Sequence, residues 1–505
     1  MEITPDLVID SVTGVDVTLP VAGPGARSFA FIVDWCIRAI VAIAWYVVCA
    51  LIYNGSWDLL QPLTPDAMWF ALVLTPPAAI YILYHPVLEI AMRGTTPGKR
   101  IAGVQIVTYD GSPPSIGPLL TRNVFRVVDS FPLCYAVGLI TTMLTREHVR
   151  IGDIAAGTVL VYRRTSTAAP ARDPHASHSR DASHSRDAPL DARAAAQLID
   201  RYRRLAADLA NARHLNPNSQ SRDQLEAEYA QVHSTLYTPA WRPGRALLTL
   251  FRDDLPTVVH ELRTHIAWAT AIFILTVAAG YSLVHAYPDL IALFSSPELI
   301  SSVEKGQLWT EGMLNVVPSS VLSLQILANN IVVSLFAYCA GFLFGLGTIY
   351  ILGLNGMMLG AVFAFTGQHG LDGNLFRFVV AHGMVEISIM CLSGAAGAAV
   401  GEALIRPKYG TRAQSFRVAA RQSGKLLFAC ALLLVGSGVI EGYVSPDPEI
   451  PLWARVTIGS AYWVLMVAVL LGWLFPRRHH RPDTARLLHA PARIPLATSH
   501  SSRPA

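Results

Sequence analysis

A histidine and a glutamate lie one helical turn apart within an apolar stretch. His382 and Glu386 are four positions apart in the sequence, so on a helix their side chains share one face. Ionisable groups are costly in lipid and are kept there for packing or for work. Three interpretations are open: a hydrogen-bonded lock, a site that handles protons or a solute, and a metal centre. We favour the metal centre least, because the pair supplies two ligands and no third converges by sequence, and we predict no metal and no cofactor.

Other polar residues and several glycines interrupt the same apolar region. We expect the Glu386 carboxylate to pair with His382, with a nearby asparagine or with water. The candidate polar residues are Asn329, Asn330, His382, Glu386 and Glu441. Glycines repeat at four-residue spacing, which lets helix backbones approach closely. The predicted packing residues are Gly341, Gly345, Gly356, Gly360, Gly397 and Gly401.

Charged residues also recur at helical spacing in the N-terminal third. One set is Arg27, Asp34 and Arg38; the other is Arg122, Arg126 and Asp129. Within each set, the spacing places the side chains on one face of a helix. We consider three roles: ion pairs that tie helices together, a cation or proton path, and contact with lipid headgroups.

Composition sets the class of protein. The chain has 505 residues, of which 52% are hydrophobic and 15% charged, with a mean hydropathy of +0.40. Its apolar runs approach or exceed the length that spans a bilayer, which excludes a soluble enzyme. The net charge of +4 comes from basic residues that flank these runs, so nucleic-acid binding is not expected. No cleaved signal peptide, nucleophile elbow, catalytic carboxylate pair or Cys/His dyad is recognised, and we predict that the protein is not an enzyme.

The chain divides into five predicted regions. Residues 1–164 hold two full spans, three short strands and a short helical hairpin around Pro132. A histidine- and serine-rich repeat marks 165–190 as a disordered linker. Residues 191–262 form a cytoplasmic helical hairpin, capped at Ser221, and an interfacial helix. Residues 263–477 hold about six spans, and 478–505 are a disordered tail.

We therefore predict an all-α polytopic membrane protein: a helical bundle with a small cytoplasmic β element in the N-terminal domain. The six later spans are expected at about 264–287, 320–350, 353–366 (short), 375–405, 425–443 and 453–475. Basic residues between alternate spans place both termini in the cytoplasm of a multi-pass inner-membrane protein.

The N-terminal motifs resemble the RDD family of membrane domains over about Thr13 to Tyr162. The match rests on Gly23-Pro24-Gly25-Ala26-Arg27 followed by Asp34, on Thr96-Pro97-Gly98-Lys99-Arg100, on Arg122-Asn123-x2-Arg126-x2-Asp129 and on Arg150-Ile151-Gly152-Asp153. Some members of this family have been linked to cation/proton exchange. The resemblance therefore implies a path that uses Asp34 and Asp129.

The remainder, from about Ala192 to Pro476, is similar to the stage II sporulation protein M family. The motifs are Asn329-Asn330, Gly341-x3-Gly345-x-Gly347, Asn355-Gly356, His382-Gly383-x2-Glu386 and Ile440-Glu441-Gly442. The family's namesake is a membrane scaffold that positions cell-wall hydrolases at the engulfing septum. Related proteins often neighbour MoxR-type AAA+ ATPases and von Willebrand A-domain proteins.

These resemblances imply an integral cytoplasmic-membrane scaffold or assembly component of an envelope-associated complex. The alternative is a cation/proton or small-solute transporter that uses the intramembrane carboxylates Asp34, Asp129 and Glu386. Expected partners are membrane lipids and envelope-complex proteins, including a MoxR-type AAA+ ATPase, and a homo-oligomer is open.

Overall fold

The computed structural model describes residues 6–55, 69–130, 135–163, 192–215, 219–237, 243–308 and 319–475. Within them, seven helices are long and apolar enough to cross a membrane, and residues 326–342 add a shorter apolar helix. The predicted fold class, a mostly helical polytopic membrane protein with a small β element, is confirmed. The predicted linker at 165–190, the tail at 478–505 and Pro132 lie outside the described residues.

Four short strands form the β element. Strand β1 (Asp6–Ile9) pairs with β2 (Val17–Pro20), and β3 (Val104–Thr108) pairs with β4 (Thr158–Tyr162), both antiparallel. A bridge from Val21 to Val161 links the two pairs. The prediction of three strands was wrong because it omitted β1, whose four residues are too few to reveal a period.

Among the described residues, two long helices and five short ones complete the N-terminal domain. Helix α1 (Pro24–Asn54) starts with a proline, whose missing N–H costs nothing in a first turn, and it ends at Gly55. A π-helical turn (Phe70–Leu74) leads into α2 (Thr75–Ala91). The short helices are α3 (Pro97–Ile101), α4 (Ile116–Val124), α5 (Arg126–Asp129), α6 (Ala136–Leu144) and α7 (Ile151–Ala156).

The helical hairpin predicted within residues 191–262 is present and packs on β1 and β2. It consists of α8 (Ala192–Leu215) and α9 (Gln220–Leu236). Tyr202 and Tyr229 stack with ring centroids 4.8 Å apart, and their hydroxyls are hydrogen-bonded to Ser11 (2.7 Å) and Thr13 (2.6 Å). The cap of α9 is Ser219, not the predicted Ser221, because the Ser219 hydroxyl accepts from the Arg222 amide.

The second membrane domain is a bundle that the chain enters through short helices. These are α10 (Pro243–Thr249), a π-helical turn (Leu250–Asp254) and α11 (Leu255–Glu261). The bundle then contains α12 (Arg263–Ala286), α13 (Pro297–Glu304), α14 (Ser319–Cys339), α15 (Leu346–Gln368), α16 (Asp372–Val379), α17 (Gly383–Ile405), α18 (Arg412–Tyr443) and α19 (Leu452–Leu470).

One predicted span is divided. The expected single span at 320–350 and short span at 353–366 were wrong, because the chain turns between Cys339 and Leu346. Phe344 and Gly345 adopt left-handed backbone angles there (φ 54° and 82°), which ends α14 and starts α15 anew. Helix α15 is consequently a full-length span of 23 residues.

Side-chain pairs fix the relative direction of the spans. On α12 and α15 the contacts advance together, with Gly356 beside Phe273 and Gly360 beside Val277, so these helices are parallel. Helices α17 and α18 are antiparallel, since Glu386 meets Ser437 whereas His382 meets Ser445. Six alternating crossings satisfy both relations, and they return the chain to the side of the membrane where the α8–α9 hairpin lies. We call this the hairpin side and the other the far side.

Glycines allow the bundle to pack backbone against backbone. A Cβ atom on Gly341 would collide with the Gly397 carbonyl, one on Gly397 with the Ala337 carbonyl, and one on Gly401 with the backbone of Gly345. Gly356 and Gly360 meet α12 in the same manner. Gly345 itself has open space at its Cβ position. Glycine is required there because the backbone φ angle is positive.

A buried aromatic contact joins the two membrane domains. The Phe125 ring, fully buried after α4, lies 5.5 Å from the ring centroids of both Tyr338 (α14) and Phe416 (α18). Nearby, the Arg417 guanidinium lies 4.2 Å from the centroid of the Tyr109 ring. We call the packing of Phe125 against Tyr338 and Phe416 the interdomain joint. These three residues belong to a single hydrophobic core that includes residues of both domains.

We predict that Gly397→Ala destabilises the bundle by about 1–3 kcal/mol, the usual cost of overpacking. The added methyl group meets the Ala337 carbonyl and the Thr348 hydroxyl, which belong to helices that cannot separate without losing contact. Thermal unfolding in detergent measures the effect. Gly373→Ala is the matched control, because open space surrounds its Cβ position; equal melting of the two variants would contradict the packing argument.

Candidate functional site

The first candidate site is a polar cluster at the far-side ends of α17 and α18. We define the far-side cluster by five residues: His382, Glu386, Ser437, Glu441 and Ser445. His382 precedes α17 and Glu386 lies in its first turn, whereas Ser437 and Glu441 lie near the end of α18. Because these helices are antiparallel, residues about 50 to 60 positions apart in sequence meet here.

Glu441 converges with the pair predicted from sequence. One ligand-type atom from each of His382, Glu386 and Glu441 lies within 4.8 Å of the others. His382 Nε2 is 3.6 Å from Glu441 Oε1, and its Nδ1 is hydrogen-bonded to the Ser445 hydroxyl at 2.8 Å. Glu386 Oε1 accepts a hydrogen bond from the Ser437 hydroxyl at 3.1 Å. The expectation that no third ligand converges was therefore wrong, since Glu441 arrives from α18.

The two asparagines have different environments. Asn330 lies on the side of α14 that faces Glu386 and shares a hydrogen bond with it. Asn329 is exposed at the protein surface, which follows from the 100° turn between successive helical residues. Only Asn330 joins the environment of the far-side cluster.

Arg455 organises the loops around this cluster. It is 3% exposed and donates to the backbone carbonyls of Ser445 (2.6 Å) and Arg377 (3.1 Å), as well as to that of Asp447. These bonds hold the segment that carries Ser445 against the end of α16. Arg455 was not among the predicted site residues, although an arginine in an otherwise apolar segment, Leu452–Leu470, was the available signal.

The second candidate site is a charge network within the N-terminal domain. It consists of five cations and three carboxylates: Arg27, Lys99, Arg122, Arg126, Arg150, Glu89, Asp129 and Asp153. The predicted residues Arg122, Arg126 and Asp129 belong to it, but they pair with other elements, not with one another. Arg122 and Arg126 both approach Glu89 at 3.5 Å, and Asp129 lies 3.4 Å from Arg150.

Asp153 is the centre of this network. It accepts a hydrogen bond from Arg27 at 2.5 Å, and the guanidinium groups of Arg122 and Arg150 approach it at 2.7 Å and 3.7 Å as ion pairs. Burial alone would raise the pKa of Asp153, but the three guanidinium groups hold that pKa well below its usual range. Asp153 is therefore a permanent anion that binds α1, α4 and α7 together.

A second buried carboxylate neutralises the cations on the other side of the network. Lys99 Nζ lies 2.6 Å from Glu89 Oε1, and the Asn123 amide donates to Glu89 Oε2 at 2.8 Å. Burial lowers the pKa of Lys99 to about 8, although the Glu89 charge opposes this change. Glu89 and Asp153 were absent from the predicted site residues, because spacing along one helix does not reveal partners on another.

Asp34 and Arg38 have separate partners despite sharing a face of α1. Asp34 accepts from Thr96 (2.5 Å), the Gly98 amide (2.8 Å) and Tyr84 (3.0 Å). Gly98 is required there, because a Cβ atom would collide with Ala30 and Asp34. Arg38 stacks on Tyr81 at 3.9 Å and donates to its carbonyl. Asp34 thus fastens α1 to α2 and α3, and Arg38 fastens α1 to α2.

A cavity of about 270 Å³ opens between α11, α12, α17 and α18 toward the hairpin side. Its polar lining includes His265 and Glu402, whose side chains are 3.0 Å apart, and Lys408 at 3.8 Å from Glu402. It lies at the opposite end of α17 from the far-side cluster.

Comparison with known proteins assigns the two membrane domains. Residues 21–157 match the model of the RDD family, and residues 269–446 match that of Stage II sporulation protein M. An uncharacterized protein, YckC of Bacillus subtilis (strain 168), is 35% identical over 103 residues, which cover 19% of this chain and 62% of the relative. No solved structure gives a significant match.

The matched regions coincide with the two structural units described above, one around the charge network and one around the far-side cluster. The chain is therefore a fusion of an RDD family membrane domain with a Stage II sporulation protein M family membrane domain.

Proposed function

We propose that the protein is a scaffold or assembly component of an envelope-associated complex in the cytoplasmic membrane. The observation that carries this proposal is the interdomain joint. Phe125 is enclosed by Tyr338 and Phe416, so the N-terminal domain and the bundle share one core. A rigid two-domain body of this kind suits a protein whose role is to hold partners at fixed positions.

The docked hairpin extends the same body on one side of the membrane. Tyr229 donates to the Val15 carbonyl at 3.0 Å, and His233 is hydrogen-bonded to the Asp110 carbonyl at 3.0 Å. Together with the tyrosine hydroxyl contacts to Ser11 and Thr13, these bonds hold α8 and α9 on the β element. Their outward faces carry exposed charges, such as Arg203 and Asp208, that are available to a soluble partner.

The use of charge in the N-terminal domain also supports a structural role. Asp34 has three hydrogen-bond donors, and Asp153 has three guanidinium neighbours. Carboxylates held in this way keep fixed partners, neutral donors for Asp34 and guanidinium groups for Asp153, whereas a conducting path requires groups that exchange partners. We assign the network to holding helices together.

The hairpin side is assigned to the cytoplasm. The segment at that end of α17 and α18 carries Arg406, Lys408, Arg412, Arg417 and Arg421, whereas the far-side segments carry Asp289, Glu298, Glu304, Asp447 and Glu449. Basic residues are retained on the cytoplasmic side of membrane proteins. Both termini are then cytoplasmic, and a MoxR-type AAA+ ATPase is the proposed soluble partner.

A transporter is the second candidate, and it is favoured by helix interruptions in the bundle. The helical structure is interrupted between α14 and α15, and again between α16 and α17, where His382 lies. Interrupted helices beside buried polar groups are common at transport sites. The candidate cargo is a cation, a proton or a small solute, with Glu386 as the carboxylate on its route.

Co-purification tests the scaffold. We expect the full-length protein, crosslinked in its native membrane before solubilisation, to recover a MoxR-type AAA+ ATPase. Phe125→Ala should reduce this recovery, because loss of a buried phenylalanine costs about 3–5 kcal/mol in a packed core and loosens the interdomain joint. Phe29→Ala is the matched control, since that ring is 51% exposed on α1. Absence of any such ATPase from the wild-type sample would contradict the proposed partner.

Flux measurement separates the two candidates. In proteoliposomes we expect the wild type to show no ion- or pH-gradient-driven flux. Glu386→Gln should then cost only about 1–3 kcal/mol of stability, as for other buried polar losses, and leave complex assembly intact. A robust flux that Glu386→Gln abolishes, while the variant remains folded, would replace the scaffold with the transporter.

Cysteine labelling in intact cells tests the orientation. In a cysteine-free background, we expect Glu304→Cys to react with a membrane-impermeant maleimide and Asp208→Cys to react only after lysis. Both side chains are exposed, so access to the reagent is the variable. The reverse pattern would invert the assigned topology.

A further inference from the structure

The far-side cluster has the composition of a metal site. It presents one imidazole and two carboxylates, with a potential ligand atom from each within 4.8 Å of the others. His382 and Glu441 are buried, at 5% and 6% exposed, and Glu386 is partly buried. Imidazole and carboxylate are both zinc ligands, and zinc sites with three protein ligands keep the fourth position open.

The imidazole is oriented as a ligand. Its Nδ1 is fixed by the Ser445 hydroxyl, which is itself 2% exposed and held in place through the bond from Arg455 to the Ser445 carbonyl. Histidines that bind metals generally have their second nitrogen held by such an outer partner. Nε2 then faces Glu441 Oε1 at 3.6 Å, which is too long for a hydrogen bond.

The carboxylates lack a counter-charge. Glu441 Oε2 is buried and has no hydrogen-bond partner. Glu386 and Glu441 are also close enough to share a hydrogen bond. Among the residues that the structure describes, no lysine or arginine forms an ion pair with either carboxylate. Two adjacent buried carboxylates are stable only if a proton or a cation lies between them.

We propose that His382, Glu386 and Glu441 bind a divalent transition-metal ion, with Zn²⁺ as the best match. Two ligands of a tetrahedral zinc are separated by about 3.4 Å, given zinc-ligand distances near 2.0–2.1 Å, and the 3.6 Å between His382 Nε2 and Glu441 Oε1 is close to this. The ligand atom of Glu386 lies within 4.8 Å of the other two and would have to move closer to complete the set. Calcium is a poorer match, because it requires six or more oxygen ligands.

The proposed metal would tie the start of α17 to the end of α18 on the far side of the membrane. This role does not depend on the scaffold or on the transporter, because it concerns only ligand binding by three side chains. The metal would also hold His382 at the break between α16 and α17, where Gly459 of α19 packs against the backbone carbonyls of Val380 and Ala381.

Metal binding by the full-length protein in detergent tests the proposal. After removal of metals with a chelator, the protein is titrated with Co²⁺, whose visible absorption reports coordination, and then with Zn²⁺ in competition. We expect one tight equivalent with a four-coordinate cobalt spectrum. Glu441→Gln should abolish this spectrum while retaining the shape of the side chain, and Ser445→Ala should weaken binding by about 10–100-fold, as expected for loss of an outer partner.

His265→Gln is the matched control. It alters another His–Glu pair, at the opposite end of α17, and should leave the tight equivalent unchanged. We expect weak binding of Co²⁺ by other histidines to persist in every variant without the four-coordinate cobalt spectrum. Gel filtration establishes that each variant is folded; if Glu441→Gln is not, Ser445→Ala decides. A wild type without a tight equivalent, or equal affinity in wild type and Ser445→Ala, would overturn the proposal and leave a shared proton between the carboxylates.

Discussion

A charge removed from water must be neutralised by the protein itself, and Asp153 is where this constraint organises the N-terminal domain. Its carboxylate draws guanidinium groups from α1, from α4 and from the residue that precedes α7. Removing one member of such a group costs more than the group contributes, because the remaining charges are left buried and unpaired. The positions of the short helices follow from this requirement, since none is long enough to be stable alone.

The second domain buries fewer charged groups than the N-terminal domain, and its helix backbones pack closer together. Its helices bury small residues, and glycine at positions such as 341 and 397 permits contact between backbones, where many weak dispersion contacts accumulate. Polar groups are concentrated at two ends of α17: the far-side cluster, and the pair of His265 and Glu402. The long middle of α17 is left apolar and buried, which makes it the axis of the bundle.

Sequence patterns predicted what belongs to a single element better than what joins two elements. Composition and apolar length were sufficient for the membrane class, and the spacing of His382 and Glu386 placed them correctly near each other. Glu441 was recognised as a polar residue in an apolar segment, but helical periodicity reveals a face and not the helix that it meets. Glu89 and Asp153 were missed as site residues for the same reason. The turn at Gly345 was not predicted, because the sequence remains apolar on both sides of it. The available signal was the cluster of glycines in this region.

The pairing of Arg27 with Asp153 has a consequence for synthesis in the cell. The two residues are 126 positions apart, so the arginine at the start of α1 leaves the ribosome long before its counter-ion. Strand β4, the next element after α7, then pairs with β3 and reaches Val21 beside α1. The N-terminal domain therefore cannot complete its charge network or its β3–β4 pairing until residues 153 to 162 have been synthesised. A chain that stops short of residue 153 lacks the carboxylate that Arg27 and Arg122 share, so both arginines remain without this counter-ion at the membrane.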